Sequence, residues 1–523
     1  MSIRRKLLGL GVVLTIAAPC YAQTTPHDSA AAMPPVLPSL PVIASPDWLS
    51  DTVTRPHGNV ATAIVAPSIS VMPLGPLSLE AVGLLPPSIT GLPPGLWGMS
   101  DPETLARLFR AQPIAGLPAI QSFTQTLALA ELDPPRQEAS DAAMLFLARI
   151  DMLLARGALD QAQALIERAG PTNPEVFRRW FDVSLMTGHA DRACQAMAAN
   201  PDIAPTLPAR ILCLARAGDW AAAALSLDTG FALGRMTEAE AVLIARFLDP
   251  ELFEGAPPLP PDAAMTPLNF QMRMAIGERP ATTGLPLIFA HADLSDLAGW
   301  HAQLDASERL MRAGAISAGQ WLAISTSRVP SASGGVWDRV GALQRFDAAI
   351  LAGDPLQAGA RLAAAFAAMQ AAGLETAFAE VYAERLLRLP LVGETGLLAR
   401  RIGLLSPHYE TVAQSALPQS REEAFHFALA RGQAAAPPEG SDLTTRAVAA
   451  AFADPAPVHR YEWFLNNDRL GEAVLRATLV LSDKARDPGD ITDALALLRS
   501  IGLEDLARRS ALQLLLLSTA PSQ

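Results

Sequence analysis

Lysine is almost missing from this chain of 523 residues, in which Lys6 and Lys484 are the two lysines and arginine supplies the other positive charges. Charged residues make up 18% of the chain, and 52 acidic residues against 40 basic ones give a formal net charge of −12. Binding to nucleic-acid phosphates requires clustered Lys and Arg. The composition therefore argues against a nucleic-acid partner.

Long apolar runs are also missing beyond the N-terminus. Hydrophobic residues make up 50% of the chain, but aromatic residues make up 6%. No later run reaches the roughly 18 apolar residues that a membrane-spanning helix needs. Much of the apolar content is Ala, which favours helix and adds little core volume. We therefore expect a mature chain that has no transmembrane helix and folds as helices.

The N-terminus has the pattern of a secretory signal peptide over residues 1–22. Residues 4–6 are basic and residues 7–18 are apolar. In Cys20-Tyr21-Ala22, the small residues Cys20 and Ala22 stand at the two positions that a signal peptidase recognises. We expect cleavage before Gln23 and a periplasmic mature chain. A lipoprotein signal with Cys20 as the lipidated residue is the alternative, and the residues before Cys20 lack the usual Leu.

Residues 23–99 hold 14 of the 44 prolines. This density excludes long helices and favours extended chain. We expect a flexible linker followed by an extended strap that lies against the helical body, with one or two short strands.

Helical spacing of apolar residues begins near Ser100 and continues to residue 517. We expect helical repeats over 100–250 and 346–517, with an irregular helical middle over 251–345. Three patterns of a capping residue followed three positions later by Glu mark helix starts. They are Ser100 with Glu103, Thr237 with Glu240, and Ser420 with Glu423.

A glycine followed five residues later by alanine recurs along the helical part of the chain. A Gly ends one helix in the left-handed conformation, and a small Ala lets the next helix approach closely. The pairs are Gly157 and Ala162, Gly188 and Ala193, Gly218 and Ala223, Gly353 and Ala358, and Gly502 and Ala507, with Asp468 and Ala473 as a variant.

This pattern resembles the tetratricopeptide repeat, in which Phe146, Leu153, Ile166, Ala169 and Pro174 occupy the remaining positions of the first copy. The resemblance implies an all-α fold, namely a right-handed superhelix of stacked antiparallel helix hairpins preceded by the Pro-rich segment. It also implies an extended concave surface that binds a protein or a peptide.

The two cysteines beyond the signal peptide fall on consecutive helices of this array. Cys194 follows Ala193 on the second helix of one hairpin, and Cys213 precedes Gly218 on the first helix of the next. In an oxidising compartment we expect them to form a disulfide. Two separately buried thiols are the alternative.

Catalytic motifs are missing from the sequence. It contains no Gly-x-Ser-x-Gly, no phosphate-binding Walker loop and no His-Glu-x-x-His. His291, Asp293, Asp296 and His301 lie close in sequence, but we expect the two aspartates to cap a helix rather than to bind metal. We therefore expect no catalytic residues, cofactor or metal.

The Ala-rich helical sequence is also similar to the superhelical part of soluble lytic transglycosylases. The Glu-Ser and Gly-Leu-Met-Gln motifs of the catalytic domain of those enzymes are missing from this sequence. We expect a non-catalytic periplasmic scaffold or assembly factor that binds a protein or peptide. A peptidoglycan-associated enzyme or accessory with an unrecognised site, and hence cell-wall association, is the alternative.

Overall fold

The computed structural model describes residues 78–137, 143–453, 459–483 and 486–517. These residues form 24 α-helices and three short 3-10 helices and contain no strand, so the predicted all-α class is confirmed for them. All of them belong to a single compact unit. The signal peptide over 1–22 and the linker and strap over 23–77 lie outside the described residues.

The first helices in chain order are η1 (Leu79–Ala81), α1 (Pro87–Thr90), α2 (Pro102–Arg110), α3 (Pro118–Leu129), α4 (Met144–Ala155), α5 (Leu159–Ala169), α6 (Pro174–Met186), α7 (Ala190–Ala199), η2 (Pro201–Ile203), α8 (Leu207–Arg216), α9 (Trp220–Ala232) and α10 (Glu238–Leu248). The middle helices are α11 (Pro267–Ala275), η3 (Leu287–Leu294), α12 (Trp300–Arg312), α13 (Ala318–Thr326) and α14 (Val336–Leu351). The remaining helices are α15 (Pro355–Ala372), α16 (Glu375–Arg388), α17 (Gly393–Leu404), α18 (Tyr409–Ser415), α19 (Arg421–Ala430), α20 (Leu443–Ala453), α21 (His459–Asn466), α22 (Leu470–Ser482), α23 (Pro488–Ser500) and α24 (Glu504–Leu516).

The glycines and alanines of the repeated pattern lie at equivalent places in helix hairpins. Each glycine stands between two helices with φ between +65° and +87°, the left-handed region that disfavours other residues. Each alanine is fully buried on the second helix. The glycines are Gly157, Gly188, Gly218, Gly353 and Gly502, and the alanines are Ala162, Ala193, Ala223, Ala358 and Ala507.

Two positions show how the turn is built. A Cβ added at Gly157 would lie 3.0 Å from the Leu310 side chain and 3.1 Å from Leu287, so this glycine also allows close approach of the middle helices. Asp468, which stands where the other copies of the pattern have glycine, has φ of +54°. The turn therefore keeps its geometry at Asp468 despite the side chain.

Two of the three helix starts that the capping patterns predict are confirmed. Thr237 and Glu240 form the predicted reciprocal capping box, and the Ser420 hydroxyl accepts the Glu423 amide. The prediction of Ser100 as a cap is wrong, because Asp101 accepts the Thr104 amide at 2.8 Å and α2 begins one residue later. Asp101, directly before Pro102, caps the first turn of α2 in place of Ser100.

Most helices pack on neighbours in the chain, as a stacked array predicts. Among the exceptions, the contacts most distant in sequence are those of α2 and α3 with α22 and α24, some 360 residues further along the chain. An open one-dimensional array has no such contact between its ends. The right-handed superhelix therefore remains a prediction.

Backbone hydrogen bonds join the two ends of the described array. The Met99 amide donates to the Asp468 carbonyl at 2.7 Å, and the Gly471 amide donates to the Leu96 carbonyl at 2.8 Å. A Cβ at Gly471 would lie 2.4 Å from the ring of Trp97. The glycine therefore allows the indole to lie directly against α22. We call the contact of residues 96–99 with residues 468–471 the end-to-end contact.

Residues 78–99 pack on the helices through buried side chains. Glu80 is buried, and its carboxylate accepts the Leu145 and Phe146 amides at 3.2 and 2.8 Å, where α4 begins. An isolated parallel bridge joins Leu85 to Ala130. A buried carboxylate therefore holds this segment at the N-terminus of α4, where the helix dipole favours negative charge.

Candidate functional site

Cys194 on α7 and Cys213 on α8 lie at disulfide distance, with sulfurs 2.01 Å apart and Cα atoms 5.1 Å apart. The predicted pairing is confirmed. The bond closes a loop between residues 19 apart in sequence. In the chain-entropy model a loop of this size stabilises the fold by about 3 kcal/mol.

The disulfide lines a groove of about 450 Å³ between α7 and α8. Met197 and Leu214 make other parts of its wall apolar. Asp191 and Arg216, which also line the groove, form an ion pair of 2.7 Å between the two helices. This arrangement of apolar walls beside charged groups is typical of a groove that takes an amphipathic segment.

The next helix, α9, exposes several large apolar side chains. Among its residues only Ala223 and Gly230 are buried, whereas Trp220, Leu225 and Phe231 are each more than half exposed. Leu233, which follows the helix, is 69% exposed. Scattered apolar side chains are common on protein surfaces, but a concentration of them on one helix makes that helix a candidate interaction surface. We call these four large side chains the α9 surface.

Close helix packing explains why the large side chains of α9 point outward. A Cβ at Gly230 would lie 2.3 Å from Leu207, so α9 approaches α8 through its smallest residue. The larger residues then have no room on that side. The repeated Gly218 and Ala223 predict an ordinary repeat helix here. Its signal was a run of 13 residues with Asp228 as the single charge.

Charged side chains bridge the first helices of successive hairpins. Asp151 on α4 accepts from Arg110 on α2 at 3.2 Å and from Arg179 on α6 at 2.6 Å. Asp182, one turn beyond Arg179, has no ion pair within the described residues. Burial raises the pKa of the Asp182 carboxyl to about 6, against the attraction of Arg178 and Arg179.

Asp182→Asn should stabilise the protein at alkaline pH. The folded pKa of about 6 exceeds the ordinary value of 3.8, so the stabilising protonation is complete below pH 3.8 and is lost as the pH rises through 6. A shift of this size corresponds to at most about 3 kcal/mol at pH 8. Urea unfolding of both proteins at pH 3.5 and pH 8 measures it, with Asp228→Asn as a surface control. An equal gain at both pH values would contradict the assignment.

The histidine and aspartate group around residue 291 is not a metal site in the structure. The His291 Nε2 lies 2.6 Å from the Gly157 carbonyl oxygen, and Asp293 accepts from Thr282 and Arg279. The prediction that the aspartates cap a helix is wrong, because α12 begins at Trp300 after Gly299. Within the described ranges no group of three His, Cys, Asp or Glu is placed to hold a metal.

None of the helices in the described part of the chain is long and apolar enough to cross a membrane. Comparison with protein-family models, curated proteins and solved structures finds no match to this chain.

Proposed function

We propose that this chain is a non-catalytic helical-repeat protein of the bacterial cell envelope, a scaffold or assembly factor that binds a protein partner. The observation that carries the proposal is the α9 surface, where Trp220, Leu225, Phe231 and Leu233 are each more than half exposed within 14 residues of chain. Water contact with such side chains is unfavourable by roughly 25 cal/mol per Å². A partner that covers them gains that free energy on binding.

The groove between α7 and α8 supports the same function. It lies on the two helices that precede α9, and its 450 Å³ can accept several side chains. An amphipathic helix of a partner would place its apolar face against such walls and its polar residues near Asp191 and Arg216. We propose that the groove and the α9 surface bind one partner.

Export to the periplasm is part of the proposal. The basic and apolar residues at 4–18 have the signal-peptide pattern, and disulfides such as Cys194–Cys213 persist in oxidising compartments.

Site-specific photo-crosslinking in the native host tests the partner directly. A benzophenone amino acid at Leu225, which is 68% exposed, should give a discrete crosslinked protein. The same probe at Leu351, a helical leucine that is 65% exposed, is the matched control. Equal crosslinking at the two positions, or none at Leu225, would count against the proposal.

Introducing negative charge on the α9 surface separates binding from stability. Because Leu225 and Phe231 are exposed, Leu225→Glu with Phe231→Glu should leave the unfolding transition unchanged and abolish the crosslink from a probe at Trp220. Co-sedimentation with purified sacculi that survives this double substitution, without a protein crosslink, would instead favour the peptidoglycan-associated alternative.

A further inference from the structure

A second cavity, of about 340 Å³, lies where α3, α13, α16 and α24 meet. Its wall includes Gln121 and Gln125 from the N-terminal part of the chain and Arg509 and Gln513 from the C-terminal part. The packing of α3 on α24 brings these residues together. The volume falls in the range of small-molecule sites. The cavity shares no wall residue with α9 or with the groove beside the disulfide.

Gln513 leaves a hydrogen-bond donor unused on this wall. Its side chain is 2% exposed, and its Oε1 accepts the Ala119 amide at 2.9 Å, which fixes the orientation of the carboxamide. Its Nε2 then has no acceptor among the described residues. Because Gln513 lines the cavity, an acceptor group of a ligand there could take this hydrogen bond.

Two arginines stand on the same wall. Arg312 donates one bond, from Nη1 to the Ala372 carbonyl at 2.9 Å, and this bond holds the guanidinium beside the cavity. Arg509 lies one turn before Gln513 on α24, and its ion pair with Asp505 is long, at 3.8 Å. Glu380 is the single acidic residue among the described residues of the wall, against the two arginines.

Further donors complete the wall. The Gln125 carboxamide has no hydrogen-bond partner within the described ranges, and it lies beside the Gly314 turn. Thr376 and Ala377, in the first turn of α16, also line the cavity. The N-cap residue there is Leu374, which has no side-chain acceptor for their amides. Free amides in the first turn of a helix favour negative charge.

We propose that this cavity binds a small anion through a carboxylate or phosphate group, which Arg312, Arg509 and the Gln513 carboxamide would hold. Two guanidinium groups line the wall against one carboxylate, that of Glu380, among its described residues, and a guanidinium group matches the geometry of both head groups. The proposed partner binding on α9 does not depend on this site.

Calorimetric titration of the full chain with inorganic phosphate and, separately, with succinate tests the site. We expect one of the two to bind with a stoichiometry of one, and the tighter probe identifies the head group. Arg312→Gln and Arg509→Gln should each weaken that binding by about tenfold or more, since each removes a charged hydrogen bond. Arg388→Gln, an exposed arginine of α16, is the charge-matched control and should leave binding unchanged.

Gln125→Leu keeps the test decisive if an arginine variant fails to fold, because this side chain makes no hydrogen bond within the described residues that folding would lose. It should weaken binding several-fold at unchanged thermal stability. Failure of both probes to bind the unsubstituted protein would overturn the proposal. Binding that is equal in the unsubstituted protein and in all three cavity variants would also overturn it.

Discussion

Trp97→Ala should lower the free energy of unfolding by about 3–5 kcal/mol, the range for removing a large aromatic side chain from a core. Trp97 is 1% exposed and meets Phe109 edge to face at 5.8 Å between ring centres. Its ring also lies directly against Gly471 of α22. The substitution therefore removes core packing and loosens the end-to-end contact together. Urea unfolding monitored by circular dichroism measures the loss.

Trp97→Phe is the matched control for that experiment. The indole N–H of Trp97 is buried without a hydrogen-bond partner among the described residues, so a phenyl ring in its place removes an unsatisfied donor while keeping an aromatic ring. We expect a loss well under half of that in the alanine variant. A similar loss in both variants would show that ring packing is not the source of the stability.

Arg149→Met should destabilise the protein by a similar amount, about 3–5 kcal/mol, because it leaves buried polar groups without partners. The Arg149 guanidinium is buried and donates to the carbonyls of Ala128 at 2.8 Å, Ala130 at 2.9 Å and Glu80 at 3.2 Å. Burial lowers its pKa to about 10, so it remains charged at neutral pH. Methionine fills similar volume but donates no hydrogen bond.

A double-mutant cycle with Glu80→Gln separates the lost hydrogen bonds from the lost charge pairing. Burial raises the pKa of Glu80, and attraction to Arg149 opposes that shift. In the Arg149→Met background, Glu80→Gln removes an uncompensated buried charge, so the double variant should be more stable than the sum of the two single losses predicts. Arg388→Met, at an exposed arginine, should change stability little. Strict additivity in the cycle would refute a coupling between the two side chains.

The hairpins could be predicted from sequence because their determinants are local. A glycine such as Gly157 and an alanine such as Ala162 lie five residues apart, and the left-handed turn and the close helix approach both act over that distance. The pairing of Cys194 with Cys213 followed from the same geometry. At α2 the local signal was ambiguous, since Ser100 and Asp101 are both good capping residues and only one of them can cap the first turn.

The packing between the chain's distant parts could not be predicted, because it depends on contacts that leave no local pattern. Nothing near Leu96 indicates that its carbonyl pairs with the Gly471 amide, and nothing near Gln513 indicates that it caps α3. The packing of α3 on α24 forms the cavity beside Gln513. The α9 surface was missed for a different reason, since apolar periodicity alone does not say which side of a helix a neighbour will cover.

The end-to-end contact has a kinetic consequence. Most hairpins form from residues within about 35 positions of one another, so they can form early and independently, whereas Trp97 finds its place on α22 only after a loop of more than 300 residues has closed. We therefore expect a folding intermediate with formed hairpins and an unpaired Trp97. During synthesis the segment around Leu96 emerges long before Gly471. The apolar residues of this segment therefore stay uncovered until the chain around Gly471 has been made.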